Sequence, residues 1–173
     1  ERYAATLVTN VTDETRKTIR AVISHGFREQ VTVRDIAKQL RAIIGLNERQ
    51  ATAMFNKWQK LVRAGAPQEL IERQMRQQGT RAIRDRAMLI ARSETMAASN
   101  AGQLEAWRQG RGAGLVDSDL VKEWIVTNDD RLCPICEPLD GNQVAIEEMF
   151  PGGVLQPPMH PGCRCTTGLV PPR

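Results

Sequence analysis

Through the first 110 residues, apolar positions recur three and four apart, the spacing that puts them on one face of a helix. Ile19, Val22 and Ile23 form the first such face, with Thr12 or Asp13 as its cap and Gly26 near its end. Ile36, Leu40, Ile43 and Ile44 form the second. Thr32 is placed to cap it, Asp35 sits at its third helical position, and Gly45 closes it. A third helix begins at Asn47, with Gln50 in the capping-box position. Met54, Trp58, Leu61 and Val62 share its face, and Gly65 ends it. Pro67 suits the first turn of a short fourth helix over 68–77, which Gly79 is expected to break. A long helix is then expected over about 80–109, through Ile83, Ala87, Ile90, Ala91, Met96 and Ala97.

The period changes after the cluster Gly110, Gly112 and Gly114, which reads as a boundary. Residues 121–127 are β-branched and aromatic and predict a strand. Asp140-Gly141 predicts a turn, residues 143–144 resume an extended run, and residues 165–170 predict a closing strand. Between them, residues 150–161 hold Pro151, Pro157, Pro158 and Pro161 with Gly152 and Gly153. Such a stretch forms no regular helix and needs other contacts to order it. The expected organisation is a helical body over 1–110, a linker over 111–120 and a small strand-containing module over 121–173. The fold class is thus mainly α with an α+β tail.

Composition sharpens this picture. The 173 residues are 41% hydrophobic but only 4% aromatic, so the core rests on Ala, Ile, Leu, Val and Met, which suits helix-on-helix packing. Charge is divided along the chain. Residues 1–111 carry 20 Lys/Arg against 11 Asp/Glu, and residues 112–173 carry 4 against 9. A basic helical face fits nucleic acid or an acidic protein surface, or simply water. The densest basic run holds Arg73, Arg76, Arg81 and Arg84, the candidates for contact with nucleic acid or an acidic protein surface, followed by Arg86 and Arg92. No run of about 18 apolar residues exists, so no membrane helix or membrane partner is expected. The chain starts at Glu1 rather than Met and is expected to be a segment of a longer protein.

The candidate chemistry is concentrated. All four cysteines lie between 133 and 165, as Cys133-Pro-Ile-Cys136 and His160-Pro-Gly-Cys163-Arg-Cys165, and one of only two histidines joins the second group. Two thiolates on a tight turn, completed by a distant His/Cys pair, match the spacing of a structural zinc site. A module of about 50 residues with few large apolar side chains builds little core, and metal binding would supply the missing cohesion. Cys133 and Cys136 form the first pair; His160 and one of Cys163 or Cys165 form the second. Of the last two, Cys165 is favoured because it enters the closing strand. Two disulfides and a redox CxxC rank behind a metal. The redox motif normally opens a helix, and here Pro138 and Asp140-Gly141 follow at once. Four protein ligands leave no open position, and no His/Glu pair at helical spacing accompanies them, so a catalytic metal is not expected.

Two stretches also carry a family resemblance. One is Ala91-Arg92-Ser93-Glu94-Thr95 with the Ala-Ala-Ser-Asn-Ala-Gly that ends at Gly102. The other runs from Trp124 through Asp129-Asp130-Arg131-Leu-Cys133-Pro-Ile-Cys136 and Leu139-Asp140-Gly141 to Pro158-Met-His160-Pro161-Gly-Cys163-Arg164-Cys165. In these residues the chain resembles the phage head-morphogenesis proteins, the minor head proteins similar to protein F of phage Mu. Ser93 stands where that family usually has Thr. The resemblance implies a structural minor head protein of a tailed bacteriophage, present in few copies at the portal or inner capsid surface. Its implied partners are the portal protein and the major capsid or scaffold protein. Its implied location is the virion, with the host cytoplasm during assembly. The alternative it carries is a DNA-binding internal virion protein that meets genomic DNA in packaging or delivery.

Other residues read as support. Glu94 is expected to pair with an arginine and fix packing, and Asn100 to make local hydrogen bonds. Asp130 is expected to accept N–H bonds in the turn that presents Cys133, and Arg164 to bond Asp130 or Asp140. Trp124 is expected in the core of the small module, and His25 at a helix end rather than on a metal. No nucleophile or acid/base constellation is visible, so no enzymatic activity is expected.

Overall fold

The computed structural model describes residues 13–173, in the order α1 (Asp13–Arg28), α2 (Val33–Leu40), α3 (Glu48–Arg63), α4 (Gln68–Gly112), β1 (Val121–Ile125), a 3-10 turn (Glu137–Leu139), β2 (Gln143–Val144) and β3 (Thr166–Val170). Thr12, one of the two cap candidates for α1, lies outside the described residues. The protein is mainly helical, with one small antiparallel sheet. The described residues divide into two compact units, 13–91 and 92–173. The division falls inside α4, ahead of the glycine cluster.

In the helical unit, the 3.6-residue period assembles a core of Ile19 and Ile23 from α1, Ile36, Ala37 and Leu40 from α2, Ile44, and Ala87, Ile90 and Ala91 from α4. Each large aliphatic buried there contributes about 1.5–3 kcal/mol. A Cβ on Gly26 would stand 2.6 Å from Ile36 Cδ1, so a glycine is what lets α1 and α2 close together. Thr32 Oγ1 caps α2 by accepting from Asp35 N at 3.2 Å. Asn47 and Gln50 form the full capping box on α3. Gln50 Nε2 then donates to Ala82 O at 3.1 Å, fastening α3 to α4. The buried Arg86 guanidinium donates to Gly45 O at 2.7 Å, and burial lowers its pKa.

One expected break does not occur. α4 is a single 45-residue helix from Gln68 to Gly112, continuous through Gly79. A lone glycine costs a helix only about 1 kcal/mol relative to alanine. Met54 packs at ordinary contact distance over the Gly79 position, so tertiary packing offsets that cost.

In the second unit the sheet order is β2-β1-β3, antiparallel throughout. Strand alternation turns Lys122 and Trp124 of β1 to the buried side. Trp124 meets Phe150 edge-to-face at 5.0 Å and 78°, within a cluster of Cys136, Leu139, Cys163 and Cys165. The proline- and glycine-rich stretch is ordered by specific contacts. Phe150 and Val154 form an isolated antiparallel bridge. Lys122 Nζ donates to Leu155 O at 2.6 Å while lying 5.1 Å over the Phe150 ring. The Gln156 amide, in its hydrogen-bonding orientation, donates to Asn100 O and accepts from Ala101 N.

Candidate metal centre

The first pair of thiols sits on a tight turn. Cys133 O accepts from Cys136 N at 3.0 Å and from Glu137 N at 2.9 Å, folding Cys133 and Cys136 onto the 3-10 turn that follows. The second group is formed by another turn, in which His160 O accepts from Cys163 N at 3.1 Å. Cys165 stands at the threshold of β3. All five candidate side chains come together around Cys136. Its ligand atom lies within 4.8 Å of those of Cys133 and His160, and also of those of Cys163 and Cys165. Cys136 is therefore common to both triads.

Three local features suit this cluster to a cation. His160 Nδ1 donates to Pro161 O at 2.9 Å, which leaves the Nε2 lone pair free, and Nε2 is 3.2 Å from Cys136 Sγ. Cys136 Sγ and Cys163 Sγ are 3.8 Å apart, and none of the four cysteines is in a disulfide. Two sulfurs bound at about 2.3 Å to a tetrahedral zinc stand about 3.8 Å apart, whereas a disulfide requires about 2.05 Å. The Trp124 indole nitrogen is buried and, among the described residues, has no oxygen or nitrogen acceptor, while the neighbouring Cys165 sulfur feels its N–H. A thiolate would give that orphaned donor a strong acceptor.

The electrostatics agree. Burial, reinforced by the adjacent sulfurs, pushes the Cys136 and Cys165 thiols up from their ordinary value. Such crowded sulfurs ionise together only if a positive charge joins them. Cys133 differs: N–H groups of Ile135 and Cys136 lower its pKa, with Ile135 the larger influence.

Arg164 clamps the first turn from between Cys163 and Cys165. Its guanidinium takes Asp129 in a fork, at 2.5 and 2.7 Å, and also donates to Arg131 O at 3.0 Å. Asp129 in turn accepts from Arg131 N at 3.0 Å. Arg164 therefore holds Asp129 well below the usual carboxylate range. The sequence predicts both roles for Asp130, with Asp140 as the other partner for Arg164. The adjacent aspartate fills them because the turn points Asp130 outward, where its side chain is 92% exposed. Asp140 instead accepts from Val126 N.

Asn100 makes the local bond expected of it, Nδ2 donating to Met96 O at 2.9 Å, but the long-range bonds from α4 are not foreseen by the sequence. Ser93 Oγ accepts from Gly162 N at 2.8 Å, inside the His160–Cys163 turn. Asn100 Oδ1 accepts from Thr166 Oγ1 at 2.9 Å, its Nδ2 reaches Cys165 O at 3.5 Å, and Gln103 Nε2 donates to Thr167 O at 3.0 Å. These three polar side chains share one helix face at i, i+7 and i+10. The signal in the sequence is that spacing of polar residues through an alanine-rich stretch of the helix. Glu94 is buried in the same stretch.

Away from this cluster, Arg73, Arg76, Arg81 and Arg84 are all exposed on α4 within the helical unit. Arg84 pairs with Asp85 at 3.2 Å. Arg76, Arg81 and Arg84, with Gln77 and Thr80, line one shallow groove. His25 lies exposed in the last turn of α1 and is a member of neither metal-ligand group.

A long helix followed by a small antiparallel sheet beside a Cys/His cluster defines a mainly helical protein whose C-terminal unit could hold a metal ion. The profile of the Phage Mu protein F-like proteins matches residues 17–168, and the chain belongs to that family. Membership marks it as a phage head-morphogenesis protein associated with the virion and with other virion proteins. No curated protein and no solved structure matches the chain. Among the described residues, no helix is long and apolar enough to cross a membrane.

Proposed function

We propose that this chain is a structural minor head protein, used in capsid assembly at the portal or the inner capsid surface, and that its C-terminal unit is held by a structural zinc ion. The observation that carries the reading is the convergence, inside a family of head-morphogenesis proteins, of four ligand-type side chains on a fifth, the buried Cys136. Cys133, Cys136, His160 and Cys163 would hold the ion. The 3.8 Å spacing of Cys136 and Cys163 supports Cys163 in the fourth place. Bound there, zinc supplies charge to neutralise the crowded sulfurs and cross-links two turns 24 residues apart. Four protein ligands leave no open site for a substrate, so the role is cohesion and not catalysis. Quantitative mass spectrometry of purified virions and tailless procapsids tests the assignment. The chain is expected in both particles at a low, fixed ratio to portal protein, and its absence from both overturns the reading.

A second reading is favoured by one observation, the exposed arginines 73, 76, 81 and 84 spread along α4. They suit the phosphate backbone of genomic DNA during packaging or delivery. Binding of duplex DNA that weakens steeply with salt, and is lost in an Arg81→Glu/Arg84→Glu variant, supports it. Retention of binding in that variant removes it.

A further inference from the structure

α3 presents a stripe of large apolar side chains that its own unit leaves in water. Phe55, Trp58 and Val62 are 55%, 43% and 46% exposed, at i, i+3 and i+7 on one helix face. The two rings stack on each other, with centroids 5.9 Å apart and planes 21° from parallel. Contiguous exposed groups of this size mark an interaction surface. The same helix carries Arg49, Lys57, Lys60 and Arg63 against Glu48 alone, and among the described residues none of those four cations is in an ion pair.

These features narrow the occupant. A nucleic acid would want free ring faces for its bases, but these rings occupy each other, and Val62 offers a base nothing. Two α3 helices face to face would set Lys60 and Arg63 against like charges. The matching surface is an apolar residue flanked by carboxylates, and the chain contains one. Leu115 is 85% exposed, followed by Asp117 and Asp119, and residues 113–121 contain no Lys or Arg. Among the described residues neither aspartate is in an ion pair. This loop is also held in place. Leu115 N donates to Gly110 O at 2.8 Å, and a Cβ on Gly110 would stand 2.8 Å from Val116 Cγ2. Arg111 donates to Ser118 O and, at 2.8 Å, to Leu120 O. A pre-ordered loop loses little entropy on docking.

We propose that Leu115 of one copy docks on the Phe55, Trp58 and Val62 stripe of a second copy, with Asp117 and Asp119 facing Lys60 and Arg63. The contact is head to tail, so it leaves each end free to take another copy and builds a ring or an open chain. It does not depend on the metal or on the portal assignment.

Sedimentation velocity on the full chain, from about 1 to about 200 μM, tests it. The mass is expected to rise with concentration and to fall back at about 0.5 M salt. Leu115→Ser and Trp58→Ser change exposed residues, so both are expected to fold, with circular dichroism as the control. Each alone is expected to weaken association at least about tenfold. Mixed together, they are expected to form a 1:1 complex that grows no further, because each retains one intact face. Lys60→Glu/Arg63→Glu is expected to abolish association, and adding Asp117→Lys/Asp119→Lys in the same chain to restore it. A chain that stays monomeric throughout overturns the proposal. So does association indifferent to Leu115, or a stripe that takes up a single-stranded oligonucleotide while the chain stays monomeric.

Discussion

Replacing Cys136 by serine removes the one side chain common to both ligand triads. Structural zinc contributes about 10–16 kcal/mol to folding in small modules at neutral pH. Divided over four ligands, that is about 2.5–4 kcal/mol each, or about a hundred- to a thousandfold in affinity. Cys136 should lie at the upper end, because it is 1% exposed and water cannot replace its sulfur. Chelator competition under reducing conditions measures the affinity directly. Limited proteolysis of the same samples reports which segment loosens. Cleavage is expected within residues 126–165, with the core of Ile19, Ile36 and Leu40 still protected. Cys165→Ser is the internal comparison, expected to cost less than about tenfold if Cys163 holds the fourth place. An unchanged affinity in Cys136→Ser would refute the reasoning, because no four-ligand set built on these triads omits that sulfur.

Ser93→Ala deprives Gly162 N of its acceptor and should cost about 1–3 kcal/mol, read as faster metal release to chelator. Ser93→Thr should restore the slow rate; equal release from all three proteins would mean that the helix does not position the turn. Lys122 is lowered by burial to about 8, below its unfolded value of about 10.4. The unfolded chain therefore binds more protons between those values, so this residue makes stability rise from about pH 8 to about pH 10.4. Denaturant titrations of the metal-loaded protein should show that component in the native chain and lack it in Lys122→Met; identical pH profiles would contradict the assignment. Gly79→Ala meets Met54 only at 3.5 Å and should stabilise α4 by about 0.5–1 kcal/mol, seen as a raised Tm. A lowered Tm would mean that the glycine is needed for packing.

Much of this arrangement was legible in local chemistry. The caps at Thr32 and Asn47 are formed as their side chains require, since a cap depends on residues three apart and little else. The Cys/His cluster was legible because all its ligand-type side chains fall in two short groups, and these groups do come together. What escaped depends on distant packing. Gly79 signals a break only until Met54 covers it. Asp129 and Asp130 are equivalent in sequence, and the direction of one turn decides which meets Arg164. Ser93, Asn100 and Gln103 become informative only when the segment 64 to 69 residues later is laid beside them. Lys122 offered no hint of burial beyond its place in an alternating strand, where its carbonyl partner at Leu155 lies 33 residues on.

On this reading one metal ion holds the C-terminal unit together. X-ray absorption at the zinc edge, on protein purified under reducing conditions with zinc quantified per chain, tests it most directly. About one zinc per chain is predicted, with three sulfurs at about 2.3 Å and one nitrogen at about 2.0–2.1 Å. A protein that carries no metal and whose four cysteines resist thiol titration would contradict it, and disulfides would then be the bonds that close the module.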